Sequence, residues 1–215
     1  MKRKQQEDYV ADEFNRTAEG YDDSRLVNSF QRRAQVAIIG RMNIEKGMDI
    51  LDLGCGTGEG SLDIALKLEG SGSVTGIDLS EKMIEIAVNK PDKHDIKNVI
   101  FRVGSGSTLE YEECFDYVVC TNAFHHFKDK VLVLQRVYRS LKQGGVFLVQ
   151  DICDDYLMMK LVDLAGKIGE RAHVGSTTSG GMKELLESAG FIDVSVEKMR
   201  LSRFWRIMTG KGKKG

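Results

Sequence analysis

The chain has 215 residues, 29% of them charged and 41% hydrophobic, with a formal net charge of -1. That length supplies one full α/β core, and the near-neutral balance gives no overall field to recruit nucleic acid or an anionic membrane. No apolar run approaches the ~20 residues of a membrane-spanning helix, and Met1-Lys2-Arg3-Lys4 leads into Gln5-Gln6-Glu7-Asp8 rather than a signal core. A cytoplasmic protein of one domain, 1–215, is expected. The four cysteines, Cys55, Cys114, Cys120 and Cys153, show neither C-x-x-C spacing nor paired histidines, which disfavours disulfides and zinc.

Residues 1–8 are polar and expected to fray. Helical spacing of Val10, Phe14 and Ala18 predicts a helix from Tyr9 to Tyr21, ended at Gly20-Tyr21-Asp22-Asp23. A second amphipathic helix is predicted from Ser24 to about Ile44, with Phe30, Ala34, Ile38 and Met42 on one face. Strand and helix then alternate. Ile50–Leu53 reads as a strand, Glu59–Leu68 as a helix, Ser73–Ile77 as a strand, and Ser80 caps the next helix before Pro91. Val99–Val103, Phe115–Cys120 and Val146–Asp151 read as further strands, with a helix at Lys130–Leu141. Such alternation means a parallel sheet with right-handed crossovers. Residues 154–172 form a Met- and Leu-rich helical stretch, followed by a glycine-rich loop over 173–181 and a helix at Lys183–Ala189 closed by Gly190. Phe191–Met199 and Leu201–Met208 read as two strands turning at Arg200.

Ile50-Leu51-Asp52-Leu53-Gly54-Cys55-Gly56-Thr57-Gly58-Glu59-Gly60 is the stretch around which the rest is arranged. An apolar strand ends in an acid, and glycines then let backbone lie directly against a ligand before a helix begins. Val74-Thr75-Gly76-Ile77-Asp78 ends a second strand in a carboxylate about 20 residues on, the spacing that holds a ribose hydroxyl pair. The third glycine position of a dinucleotide fingerprint holds Glu59, which would repel a pyrophosphate at that helix end. The pattern is that of a nucleoside site without phosphates, and it disfavours a nicotinamide cofactor. Ligands of open α/β sheets lie beyond the carboxyl ends of the strands. That rule gathers Asp52–Gly58, Asp78, Gly104–Gly106, Cys120–Asn122 and Asp151 around one crevice.

Asp52, Gly54, Gly56 and Gly58 match the first motif of the class I S-adenosylmethionine-dependent methyltransferases, and from about Phe14 to Arg206 the chain resembles that family. It is most similar to the small-molecule branch that contains the ubiquinone and menaquinone biosynthesis enzymes. The resemblance implies a Rossmann-like, seven-stranded, mostly parallel sheet in the order 3-2-1-4-5-7-6, with an antiparallel edge strand. It also implies N-terminal lid helices over residues 1–45, and a substrate-side segment over 152–181. S-adenosyl-L-methionine is the implied cofactor, with Asp78 on the ribose, Leu79 and Met83 beside the adenine, and Asp52 on the ammonium. Thr121 and Asn122 would serve the amino and carboxylate end, and the Tyr21-Asp22 pair matches a recurring lid pair. Where the family has Gly-Asp-Ala, this chain has Gly104-Ser105-Gly106, so Ser105 offers a neutral acceptor to the adenine in place of a carboxylate. Gln143 replaces the proline of a second family motif.

Methyl transfer from a sulfonium depends mainly on in-line positioning, with a base where the acceptor must lose a proton. His125 and His126, just after the fourth strand, are the candidates, and no metal triad is visible. Thr121-Asn122-Ala123-Phe124 replaces the Asn-Pro-Pro-aromatic turn of base- and amide-directed relatives, which disfavours nucleic acid. His173 and Arg171 border the substrate-side segment and are candidates for an anionic or phenolic group. The basic run Lys198, Arg200, Arg203, Arg206, Lys211, Lys213 and Lys214 is either an anionic contact surface or a charge-protected edge strand with a solvated tail. A monomeric or homodimeric enzyme acting on a small organic acceptor is the leading reading. An RNA- or protein-directed methyltransferase and a non-catalytic adenosine-ligand binding module stay open beside it.

Overall fold

The computed structural model describes residues 3–22, 25–90, 96–169, 174–202 and 205–215. Its elements run α1 (Arg3–Thr17), α2 (Arg25–Ile39), β1 (Asp49–Leu53), α3 (Glu59–Lys67), β2 (Ser73–Asp78), α4 (Glu81–Asn89) and β3 (Val99–Val103). There follow β4 (Phe115–Thr121), α5 (Lys130–Ser140), β5 (Leu141–Ile152), α6 (Leu157–Gly169), α7 (Ser179–Ser188), β6 (Ile192–Arg200) and β7 (Arg206–Lys213). Seven strands form one sheet in the order β3-β2-β1-β4-β5-β7-β6. The pairs from β3 to β5 are parallel, and β7 is antiparallel to both of its neighbours. The expected sheet order is the one found. Among the described residues, no helix is long and apolar enough to cross a membrane.

Alternate strand residues feed two separate cores, as the period of two requires. Leu51, Leu53, Val118, Phe147 and Val149 pack with Val133, Leu134 and Val137 of α5 and with Met182 and Leu186 of α7. Ile50, Val74, Val119 and Leu148 pack on the other face with Ile38 and Ile39 of α2 and Ile64 of α3. Burying each such side chain stabilises the fold by about 1.5–3 kcal/mol before chain entropy is counted. Local signals set the helix starts. Ser80 accepts from the Met83 N–H, Asp129 from Leu132 and Thr178 from Gly181. Pro91 lies outside the described residues.

Several boundaries differ from the sequence expectation. First, α1 begins at Arg3, within the segment expected to fray. Its first turns are held by tertiary contacts: Gln6 is buried, and Glu7 accepts hydrogen bonds from Ser105 (2.8 Å) and Ser107 (2.5 Å). Second, α2 ends at Ile39, short of Ile44, and α6 and α7 start at Leu157 and Ser179. Third, the last strand is Arg206–Lys213 rather than Leu201–Met208, so the expected solvated tail is a strand inside the sheet. The Gly210-Lys211-Gly212-Lys213 alternation explains it. A Cβ at Gly212 would come within 2.7 Å of Phe191, so glycine on that face admits the apolar side chains while Lys211 and Lys213 point outward. Lys214 is buried, donating to the Leu141 carbonyl (2.8 Å) and pairing with Glu113 (3.3 Å).

Candidate active site

A cavity of about 300 Å³ opens at the carboxyl ends of β1, β2 and β4. Its floor is the β1–α3 turn. Gly54 has φ +77°, and a Cβ there would lie 2.4 Å from that of Ala123, so no other residue fits this approach. Gly58, at φ +84°, occupies the N-cap of α3 against the Phe101 ring. Gly54 and Gly56 line the cavity; Gly58 does not, and shapes the turn from behind.

Asp78 closes one side. Its Oδ2 accepts from the Gly56 N–H (2.9 Å) and its Oδ1 from the Ser80 N–H (2.9 Å), which fixes the carboxylate while leaving each oxygen a further lone pair. Burial raises its pKa, opposed by the N–H donors of Ser80, Gly56 and Leu79. Leu79 and Met83 continue that wall. On the other side of β1, Thr121 ends β4 and Asn122 follows it. Asn122 has a left-handed φ of +54°, pinned by its N–H to the Gln150 carbonyl (2.8 Å). Both polar atoms of its side chain are buried without a hydrogen-bond partner among the described residues. A buried amide left unmatched costs about 1–3 kcal/mol, and a polar ligand in this cavity is what would match it.

Asp52 does not line the main cavity. It borders a recess of about 20 Å³, room for a single water, that shares Gln35, Gly54, Cys55 and Thr121 with the cavity wall. Burial pushes the Asp52 carboxyl up to about 6; the Ser61 hydroxyl (2.7 Å) opposes the rise and the charge of Asp78 adds to it. Burial likewise raises the thiols of Cys55 and Cys120, with neighbouring carboxylates adding to the effect, so both stay protonated.

Ser105 also stands off the cavity, whose wall there is Gly104 and Gly106. Its hydroxyl caps the short turn at Gly106–Thr108 and donates to Glu7. Glu7 of α1 engages the hydroxyls of both Ser105 and Ser107, and it too stands off the cavity. A polar first turn gives no sequence signal for that contact.

The N-terminal helices roof the cavity. Val10, Phe14 and Tyr21 line it, as do Gln31, Arg32 and Gln35 of α2, polar residues that are not part of the apolar face read from the sequence. Gln31 donates to the Tyr21 hydroxyl, and Arg32 is paired with Asp63. Lys90, only 16% exposed, ties roof to floor. Its ammonium meets Glu59 (2.7 Å), Asp22 (3.2 Å) and the Thr57 carbonyl (2.8 Å), while the Thr57 hydroxyl donates to Asp22 (2.8 Å). The Glu59 charge at the third glycine position is thus paired with this cation.

His126 lines the cavity and is buried, edge-on to Phe14 with ring centroids 5.1 Å apart. His125 lies behind it, its ring 4.0 Å from that of His126. His125 Nδ1 is 2.7 Å from Asp151 Oδ1, and its backbone N–H donates to Oδ2 (2.7 Å). Burial alone would raise the Asp151 carboxyl; His125 and the backbone N–H groups outweigh it and hold it low. His173 and Arg171 lie outside the described residues. Among the described residues, no cluster of histidine, cysteine and carboxylate is arranged to hold a metal.

A methyltransferase-domain family model matches residues 44–197. The chain belongs to that methyltransferase family. It is 34% identical over 142 residues to the demethylmenaquinone methyltransferase of Lactococcus lactis, covering 65% of this chain and 56% of that protein. The demethylmenaquinone methyltransferase of Oceanobacillus iheyensis is 34% identical over 128 residues, covering 58% and 54%. The chain therefore spans a little over half the length of these curated relatives. Among solved structures, the Haloferax volcanii complex of the Trm112 methyltransferase activator contains a similar chain. The TM-score is 0.79 at 19% identity, over 95% of this chain and 97% of that one. Haemonchus contortus phosphoethanolamine N-methyltransferase 2, in complex with S-adenosyl-L-methionine, gives 0.72 at 19% identity, over 94% and 60%. At such identities these structures establish a shared fold. The methyltransferase resemblance read from the sequence is thus matched by the family model and by the shared fold, with demethylmenaquinone methyltransferases among the proteins to which the chain is similar.

Proposed function

We infer that the protein is an S-adenosylmethionine-dependent methyltransferase acting on a small organic acceptor in the cytosol. The observation that carries the reading is the pairing of a fixed carboxylate, Asp78, with an unmatched amide, Asn122, on either side of one glycine-floored cavity. A nucleoside joined to an amino acid has the hydroxyl donors and the polar end that such a wall would satisfy.

When bound, S-adenosylmethionine supplies a methyl group made electrophilic by the positive charge on its sulfur. Asp78 accepts the ribose hydroxyls on the lone pairs that Gly56 and Ser80 leave open. Leu79 and Met83 flank the adenine. Gly54 and Gly56 allow close backbone approach. Asn122 and Thr121 serve the amino and carboxylate end, Arg32 is the wall cation suited to the carboxylate, and Asp52 meets the ammonium through a water in the adjoining recess. Ser105 shapes the adenine side indirectly, by holding Glu7 and the Gly106 turn. Tyr21 and Phe14 close over the ligand and exclude water, with Lys90 as the tie. His126 takes the proton of an acceptor that must lose one. His125, oriented by Asp151, is a positioning residue behind it. Arg171 and His173 are candidates for contact with the acceptor's polar group, and no step of this scheme depends on them.

Calorimetric titration with S-adenosylmethionine tests the reading, beside an Asp78→Ala variant and with NAD as the control ligand. Micromolar binding, lost in the variant and absent for NAD, is expected. Absence of binding to the wild-type protein would overturn the cofactor assignment.

A further inference from the structure

Helix α6 carries an apolar face that is left uncovered among the described residues. Leu157, Leu161 and Leu164 follow one another at i, i+4 and i+7, and are 75%, 54% and 54% exposed; Met158 beside them is 51% exposed. The opposite side is anchored: Met159 is buried, and buried Asp163 accepts from the Ser176 N–H (2.5 Å). The face holds no exposed acidic side chain among the described residues, and one exposed cation, Lys160. At its N-terminal rim Tyr156 lies under Lys198 (6.0 Å) and Arg206 (5.6 Å), while the acid at that rim, Asp155, is neutralised by Lys198 (2.6 Å).

We propose that this face of α6 docks the protein on an anionic bilayer surface. An exposed leucine stripe, an aromatic at its border and the cations Lys160 and Arg206 beside it are what the interface between acyl chains and anionic headgroups accommodates. A second copy of the chain fits less well. The exposed apolar surface is on the order of 400–500 Å², about half of what each partner of a stable dimer buries. The position of the helix ties docking to the site. The segment after α6 is joined to it by Asp163, and the N–H groups of Val174 and Gly175 both donate to the His125 carbonyl (3.2 Å each), next to cavity-lining His126. The docking rests on α6 and is independent of the methyltransferase reading above.

Co-sedimentation of the full chain with phosphatidylcholine vesicles, with and without one quarter phosphatidylglycerol, tests the proposal. A Leu157→Gln/Leu161→Gln variant, changed only at exposed positions, is compared in parallel. Expected are binding to the anionic vesicles that weakens with salt, and at least a tenfold loss of partitioning in the variant with its melting temperature unchanged. No vesicle association, or association equal in the variant, would overturn docking. A wild-type dimer in sedimentation velocity that the variant dissolves into monomers would likewise overturn it, in favour of a second copy on this face. S-adenosylmethionine titration of the same samples separates the two readings. Its failure alone would remove the methyltransferase assignment and leave the vesicle result standing.

Discussion

Replacing Asp52 with asparagine should make the ligand-free protein more stable and its cofactor site worse. Burial lifts the carboxyl from an ordinary 3.8 to about 6, so at neutral pH the folded protein carries an ionised group it disfavours. That displacement corresponds to roughly 3 kcal/mol against the charged form at pH 7.5. Allowing for water in the adjoining recess, about 1–2 kcal/mol of gain is expected for the asparagine, whose carbonyl can still accept from Ser61. For a chain of this size that is roughly 3–6 °C in melting temperature. The sign follows from the raised pKa. The stability associated with the protonated carboxyl is fully present below pH 3.8 and lost as pH rises through about 6. The advantage of Asp52→Asn should therefore be largest at pH 7.5 and mostly gone at pH 4. Thermal melts of both proteins across that range, without ligand, are the assay. Calorimetry at pH 7.5 should show cofactor affinity about tenfold weaker in the variant. A variant less stable than the wild type at pH 7.5, or an advantage equal at pH 4, would refute the reasoning.

Lys90→Met leaves Glu59 and Asp22 without their shared cation and should speed cofactor dissociation about tenfold, whereas Lys90→Arg should retain most of the wild-type residence time. Stopped-flow displacement reads this directly. Glu7→Ala strips the acceptor from the Ser105 and Ser107 hydroxyls, so a loss of about 1–2 kcal/mol is expected. Amide exchange should accelerate in α1 while the β1–β4 amides stay protected. His126→Asn should lower kcat by about 100-fold with cofactor affinity unchanged, for an acceptor that loses a proton. An equal drop in affinity would instead place His126 in cofactor binding.

The sheet and the floor of the site are legible from the order of residues alone. Gly54, Gly56 and Gly58 are demanded by local backbone geometry, Asp78 by its place at a strand end, and strands β1 to β5 by a hydrophobic period that needs no partner to be read. The roof takes shape only in three dimensions. Gln31, Arg32 and Gln35 form a polar helix face, and composition cannot distinguish one that meets solvent from one that meets a cavity. Glu7 joins Ser105 across about a hundred residues of chain, and Lys90 gathers Asp22 of the roof with Thr57 and Glu59 of the floor turn. The last strand escapes a sequence reading for a related reason. Gly-Lys alternation has no apolar signal of its own, and it becomes a strand because Phe191 and Met182 fill the space its glycines leave. Local chemistry dictates what the backbone must do at each turn; which distant side chain completes a charge or fills a gap depends on the packing of the whole chain.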